Sequence, residues 1–435
     1  MSRVATIVVF AALYFGAIFC VGVDDEFVVG ISTNRQSKRS GYYALNSTFG
    51  IQSLDKVHRI PQVSHDRTSV FRTLTRALSP GVLRVSGKHA DETVFRAKHT
   101  CETLRNGSSP KDITKQFTVT GERWKELHEF AIATGQDVTY GLNLCLRSGE
   151  AWDPTNSMEL LRYNAKLGYK VIWQLGNEPS LFSKNCNIKV TADQIARDFL
   201  TLRKLLSEIN DAGLLVGPDI THLPLNLTVD DGLEAPFVYL ERFLRKAGSA
   251  LNATTLHYYN IHKDSTTTIE NFTDPDVLDH IEEELRCYTD VVKYSMERPV
   301  ERWIGEGSSV TSGGLINASS RFAAGFPSSY QAGAVTLIVL NLLKDTTAVM
   351  RLSGLQSKIS IDEYLLTPFG GNLDSDSIEL NGKVLSMIDD YVLPNTPPRP
   401  LPPGSPISLP PRTYGFYVIK DARAVACIKS RGGSE

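Results

Sequence analysis

From about residue 60 to residue 306 the chain repeats one pattern: a short apolar run, then a longer stretch with apolar residues at helical spacing. The short runs are residues 81–85, 137–144, 170–175, 213–220, 253–260 and 300–306, with 60–63 as a weaker first member. Between them, residues 123–134, 192–209, 237–247 and 276–295 place apolar side chains three and four apart. Strands alternating with helices of this length give βαβ units and a parallel sheet. Seven such strands before residue 310 predict an α/β chain built on a (β/α)8 TIM-type barrel.

After Gly325 the pattern changes. Residues 335–342, 359–366, 377–380 and 414–419 read as strands of an antiparallel module, with turns at Gly370-Gly371 and Asn381-Gly382. A proline-rich stretch, 394–411, reads as an extended loop along a sheet edge. A chain of 435 residues holds one large barrel and a smaller domain. Its net charge of -2 gives no global attraction for nucleic acid, so none is expected as a partner.

At the N-terminus Arg3 precedes an apolar run, residues 4–21, and Gly22-Val23-Asp24-Asp25-Glu26 then turns polar. This is the layout of a secretory signal, cleaved near Gly22; an uncleaved anchor is the alternative. No later segment is long enough to span a bilayer. Six Asn-x-Ser/Thr sequons, at Asn46, Asn106, Asn226, Asn252, Asn271 and Asn317, agree with a secreted or lysosomal location. Five cysteines follow the signal: Cys101, Cys145, Cys186, Cys287 and Cys427. Their spacing matches no zinc or CxxC pattern, and the odd number leaves at least one thiol without an intramolecular partner. No metal site is expected.

Two of the strands end in an acid. Trp173-Gln174-Leu175-Gly176-Asn177-Glu178-Pro179 stops abruptly, and Pro179 biases Glu178 away from helical geometry. Trp303-Ile304-Gly305-Glu306-Gly307 ends in the same way. In the strand count Glu178 closes the fourth strand and Glu306 the seventh, seats that face each other across a barrel mouth, where such folds place their chemistry. Either acid alone is most simply a solvated strand-end carboxylate. Two of them are what hydrolysis of a glycosidic bond requires: one to protonate the leaving oxygen, one across the sugar. In retaining enzymes they stand ~5–5.5 Å apart and the second attacks the anomeric carbon.

Beyond the two acids, the chain resembles glycoside hydrolase family 79. The resemblance is carried by Arg72-Thr73-Leu74, Leu83-Arg84, Gly141-Leu142-Asn143, residues 173–179, Gly217-Pro218-Asp219, His257-Tyr258-Tyr259, Gly305-Glu306 and Phe322-Ala323-Ala324-Gly325-Phe326. It continues through Leu380-Asn381-Gly382 and Val425-Ala426-Cys427. It implies a retaining endo-β-glucuronidase acting on heparan sulfate or a related glycosaminoglycan, with no cofactor. Glu178 would be the acid/base, Glu306 the nucleophile, and Asn177 the partner of the sugar 2-OH. Tyr258 would steady the Glu306 carboxylate or simply pack, and His257 would sit beside the substrate or serve the structure. The resemblance also implies a C-terminal β-sandwich. The domains are then a signal (1–22), a segment giving a strand to the β-domain (23–55), the barrel (56–326) and the sandwich (327–435).

The chain departs from the family pattern in three ways. After Phe326 it passes almost directly to Ala332-Gly333-Ala334-Val335, where the family has the last helices and the eighth strand. On the order of 60–90 residues are missing there, since a βαβ unit takes ~30. The barrel is therefore expected to be incomplete, and the lost part includes the partner of the cysteine matching Cys427 in animal members. Ser86 and Lys88 replace a glycine and a threonine beside the substrate, and Leu256 replaces a histidine. Basic clusters are thin: Arg242, Arg245 and Lys246 are the best candidates for a sulfated polymer, although such a run is more often a solvated helix face. The alternatives to the leading reading are an inactive heparan-sulfate-binding form and an enzyme for less sulfated β-glucuronides. The protein is expected to be a monomer.

Overall fold

The computed structural model describes residues 7–11, 18–23, 26–31, 65–79, 81–98, 117–182, 186–221, 235–261, 271, 275–310, 334–353, 359–373 and 375–423. Two compact units emerge: Gly41–Thr266 with Asp279–Gly314, and Met1–Ser40 with Thr267–Leu278 and Leu315–Glu435.

In the first unit helices and strands alternate: α1 (His65–Ala77), β1 (Gly81–Val85), α2 (Gly121–Thr134), β2 (Gln136–Leu142), α3 (Thr155–Leu167) and β3 (Ile172–Leu175). The order continues through α4 (Ala192–Glu208), β4 (Leu214–Thr221), α5 (Pro236–Ala247), β5 (Ala253–Ile261), α6 (Pro275–Ser295) and β6 (Glu301–Val310). Local chemistry starts the helices where the pattern places them. The Thr120 and Thr191 hydroxyls cap α2 and α4 by accepting the amides of Arg123 and Gln194.

The six strands form one parallel sheet in chain order, β1 to β6. Six of the strands expected from the sequence are therefore present. The seventh, residues 60–63, and the junction at 327–332 lie outside the described residues. Among the described residues β1 and β6 are the two ends of the sheet, which makes it a half-barrel. Its curvature is strong enough for a side chain on β1 to bond one on β6: Arg84 Nη1 is 2.9 Å from Glu306 Oε2.

Period-two alternation sorts the two faces. Leu83, Val85, Val138, Tyr140, Leu142, Trp173, Leu175, Leu215 and Leu256 point outward into one core with Trp124, Phe199, Leu240 and Phe243 from the helices. Trp124 stacks on Trp173 at 6.1 Å between ring centres. On the concave face Val82, Ile172, Val216 and Ala253 make an apolar floor with Trp303. Further along the strands the same face carries Arg84, Gln174, Asp219 and His257, all buried. The polar layer therefore sits on an apolar one, at the C-terminal ends of the strands. Among the described residues no helix is long and apolar enough to cross a membrane.

The second unit is built from β-strands. Residues 7–11, 335–341, 413–419, 361–368, 378–380 and 383–384 follow one another across an antiparallel sheet, with 399–401 also paired to 361–368. A second sheet runs 18–23, 26–31, 348–353 and 407–409, with 26–31 parallel to 348–353. Leu337, Val339, Tyr417 and Ile419 of the first sheet share an apolar cluster with Ala348, Met350, Ile407 and Leu409 of the second. The proline-rich stretch is more regular than the extended loop expected, since 399–401 and 407–409 both join ladders. Asn381 and Gly382, with φ of 50° and 78°, make the tight turn between 378–380 and 383–384. The apolar run read as a signal supplies 7–11 to one sheet and 18–23 to the other. Ile, Val and Phe suit a pleated strand as well as a signal's hydrophobic region.

One disulfide ties the first unit. Cys145, after β2, bonds Cys186, after β3, with their Cα atoms 6.2 Å apart. Cys287 is free and exposed, while Cys101 and Cys427 lie outside the described residues. The bond closes a loop of 41 residues, worth on the order of 4 kcal/mol by chain entropy. The Cys145→Ser/Cys186→Ser variant is accordingly expected to lose roughly 2–4 kcal/mol in urea unfolding. An unchanged midpoint would show that the bond constrains nothing in the unfolded chain.

Candidate active site

The seat of Glu178 is built by backbone. After β3 the chain turns through Gly176, at φ 73°, where a Cβ would meet the Leu144 side chain at 2.7 Å. Glu178 itself adopts φ 52°, a left-handed conformation uncommon for glutamate, rather than the extended one its following proline favours. Such a residue costs on the order of 1–3 kcal/mol and persists only when its surroundings hold it. Its amide donates to the Asp219 carbonyl at 3.1 Å, and its own carbonyl accepts from Leu181 at 2.8 Å. Next to it, the Asn177 amide donates to Asp91 Oδ2 at 2.9 Å, while Asp91 Oδ1 accepts the Leu144 amide at the same distance. Burial pushes the Asp91 carboxyl up to about 8, against the pull of these two donors.

Asp219 is placed by a bulge. The register of β4 on β5 slips between Gly217 and Ile220, and Asp219 takes φ 54°. Its carboxylate accepts from Arg84 Nη2 and from Gln174 Nε2, each at 2.8 Å. Burial alone would raise its pKa, but the charges of Arg84 and His257 hold it well below the usual carboxylate range.

Arg84 is the hub. Besides Asp219 it donates to Gln174 Oε1 at 3.1 Å, to Asn177 Oδ1 at 3.1 Å and to Glu306 Oε2 at 2.9 Å. His257 lies beneath Glu178: Nδ1 is 3.0 Å from Glu178 Oε1 and 4.0 Å from Glu306 Oε2, and Nε2 is 3.7 Å from Asp219 Oδ1. Burial would lower its pKa, yet the charges of Glu306 and Asp219 and the bonds to Asp219 and Glu178 push it up to about 10. These carboxylates favour the protonated ring. The ring closes on Gly305, where a Cβ would come to 3.1 Å from Asp219 Oδ1 and 3.6 Å from His257 Cδ2.

Glu306 accepts from Arg84 and from the Tyr259 hydroxyl. Burial would raise its pKa, but the His257 and Arg84 charges and these two hydrogen bonds more than offset that and hold it below the ordinary value. Its side chain remains 22% exposed and that of Glu178 17%, so both acids open upward from a closed floor.

The structure corrects three expectations. The hydroxyl on Glu306 is that of Tyr259, not Tyr258: successive strand residues face opposite ways, and Tyr258 is buried toward Glu284 of α6. His257 is fully buried, with its ring nitrogens taken up by Glu178, Asp219 and Arg84, so it does not line the sugar cleft. Arg242 and Lys246 on α5 both pair with Asp193, and Arg245 pairs with Glu241, so the basic run is a helix face matched by neighbouring acids. Lys88 is exposed and follows Gly87, where a Cβ would lie 4.0 Å from Glu306 Oε2. Of the sequons, Asn252 and Asn271 are described. Asn252 Oδ1 accepts from Arg203 at 2.7 Å and from the Leu215 amide at 2.9 Å. The other four lie outside the described residues.

Arg84, Asp219 and Asp91 were not among the candidates read from the sequence. Arg84 had a signal: it is the single charge in an otherwise apolar strand, and a charge placed there must be paired.

A parallel half-barrel with two differently held glutamates at the C-terminal ends of β3 and β6 has the layout of a glycoside hydrolase. Residues 62–333 match glycosyl hydrolase family 79, N-terminal domain, and the chain belongs to that family. It is heparanase-like: it is 28% identical to heparanase of Gallus gallus, over 82% of this chain and 89% of that one. It is also 24% identical to inactive heparanase-2 of Homo sapiens, over 84% and 85% of the two chains. Among solved structures, a 4-O-alpha-L-rhamnosyl-beta-D-glucuronidase from Fusarium oxysporum superposes with a TM-score of 0.60. At 13% identity it covers 85% of this chain and 94% of its own, which supports the fold.

The His257 pKa carries a sign. A group raised from about 6.5 to about 10 on folding gives stability that is complete below pH ~6.5 and is lost as pH rises through ~10. The unfolding free energy of His257→Gln should therefore differ most from wild type at pH 6, with the gap narrowing toward pH 10. A gap that is constant with pH would mean that the buried ring is neutral.

Proposed function

We propose that this chain is a retaining endo-β-glucuronidase that cleaves heparan-sulfate-type glycosaminoglycans. One observation carries the reading: His257 Nδ1 is 3.0 Å from one glutamate and 4.0 Å from the other. One oxygen of each carboxylate therefore lies within about 7 Å of the other, a span that includes the ~5–5.5 Å of retaining enzymes and reaches only the lower edge of the ~6.5–9.5 Å of inverting ones.

The environments divide the roles. Glu306, gripped by Arg84 and Tyr259 and held in its ionised form, attacks the anomeric carbon. Glu178, on its left-handed turn, gives its proton to the leaving oxygen. It then takes one from the water that releases the sugar from Glu306. Asn177, its carbonyl tied to Arg84, offers its amide NH2 to the sugar 2-OH. The β unit, with its two sheets around one apolar cluster, is read as the accompanying sandwich. Endo action and a heparan-sulfate substrate rest on the likeness to heparanase. The pairing of α5's cations with acids favours a second reading, a substrate less sulfated than heparan sulfate. The N-terminal apolar run, the sequons and the Cys145–Cys186 bond support a secreted or lysosomal setting.

Turnover of an aryl β-glucuronide and shortening of heparan sulfate chains test the activity. Glu306→Gln is expected to abolish both, and Glu178→Gln to lower them by about 10²–10⁴-fold. The first product seen by NMR should be the β-anomer; an α-anomer would rule out retention. Undiminished turnover in Glu306→Gln would remove the enzyme reading from this site. Cleavage of an unsulfated glucuronan in preference to heparan sulfate would select the second substrate.

A further inference from the structure

We propose that His257, held from below by Asp219, is the positioning residue for Glu178: it fixes the carboxyl toward the glycosidic oxygen and stabilises the carboxylate left after proton donation. The inference rests on the glucuronidase reading and deepens it.

Among the described residues the Glu178 carboxyl has one hydrogen-bond partner, His257. Its backbone is fixed by Asp219 and by the turn, but Nδ1 of His257 at 3.0 Å is the contact that orients its carboxyl. The histidine itself cannot turn. It is fully buried, Asp219 Oδ1 lies 3.7 Å from Nε2, and the Gly305 backbone lies beside the ring, where a Cβ would come to 3.6 Å from Cδ2. The charged groups facing it are Arg84 of β1 at 3.4 Å, Glu178 after β3, Asp219 of β4 and Glu306 of β6. Nδ1, 3.0 Å from the Glu178 carboxyl, is the ring nitrogen that donates to it.

The cycle balances without His257 gaining or losing a proton. In the first step the Glu178 proton moves to the glycosidic oxygen as the C1–O bond breaks and the C1–Glu306 bond forms. The new Glu178 carboxylate then accepts a charge-assisted bond from Nδ1, which is stronger than the bond a neutral carboxyl accepts. In the second step water adds to C1, its proton goes to Glu178, and Glu306 leaves as a carboxylate. An oriented N–H is thus worth most where Glu178 is anionic.

A leaving-group comparison separates positioning from mere support. 2,4-Dinitrophenyl β-glucuronide needs no proton to depart, whereas phenyl β-glucuronide does. For His257→Ala, kcat/KM on the phenyl substrate is expected to fall by about 10²-fold, the cost of a misplaced catalytic group. On the dinitrophenyl substrate the fall should be under roughly fivefold, and His257→Gln, which keeps a donor, should recover part of the loss. If His257→Ala does not fold, Asp219→Asn must show the same dependence on leaving group. Equal losses on both substrates in a folded variant overturn the inference alone. A wild-type chain that turns over neither substrate overturns the glucuronidase reading, and this inference with it.

Discussion

The buried guanidinium of Arg84 is the interaction on which the site depends. Removing an arginine from water is costly unless every donor finds a partner, and here four do: Gln174, Asn177, Asp219 and Glu306. These partners come from β3, the turn after it, β4 and β6. One cation on β1 therefore ties the two ends of the sheet across its concave face. In a half-barrel whose end strands, β1 and β6, do not pair with one another among the described residues, this polar bond does across the trough what a ladder would do around a closed barrel. Loss of Arg84 would leave Asp219 buried without its guanidinium, an uncompensated charge of the kind that costs several kcal/mol.

Backbone strain is concentrated in the same place. Glu178 and Asp219 both adopt left-handed φ, at the end of β3 and in the bulge of β4, and the amide of the first bonds the carbonyl of the second. Each conformation is unfavourable alone. Together they are held by Arg84, by the Thr255 hydroxyl that accepts the Asp219 amide, and by the Asp91 carboxyl that accepts the Asn177 amide. The Cys145–Cys186 bond closes the surrounding loops from outside. The strain is thus distributed over contacts that also aim the carboxyls, as expected where a precise orientation matters more than local comfort.

Much of this architecture was legible in the sequence, and the boundary of legibility has a physical cause. Strands and helices of the first unit follow from periodicity, because a parallel sheet buried on both faces leaves little freedom in where apolar residues fall. Glu178 and Glu306 stand out because an acid directly after an apolar strand has few other uses. What periodicity cannot supply is register. The slip between Leu256 and His257 on β6 and the bulge at Asp219 each shift which residue faces the cleft, and a single step exchanges Tyr258 for Tyr259. His257 was left between two readings for a related reason: a histidine at a strand's end can be a sugar contact or a structural group until its burial is known. For the cation run on α5 the helix-face reading holds, and what the sequence could not show is that its partner Asp193 lies on α4, distant in sequence.

The polar layer also shows how one floor keeps two glutamates different. Both stand over the same cations, but among the described residues Glu306 is bonded by Arg84 and Tyr259 and lies 4.0 Å from the His257 ring, whereas Glu178 is met by His257, at 3.0 Å. A carboxylate with several fixed donors is stabilised as an anion. The difference between the two glutamates therefore lies in the donors that the described residues aim at each. The apolar floor of Val82, Ile172, Val216 and Ala253 sharpens it by keeping water from supplying the missing ones from below.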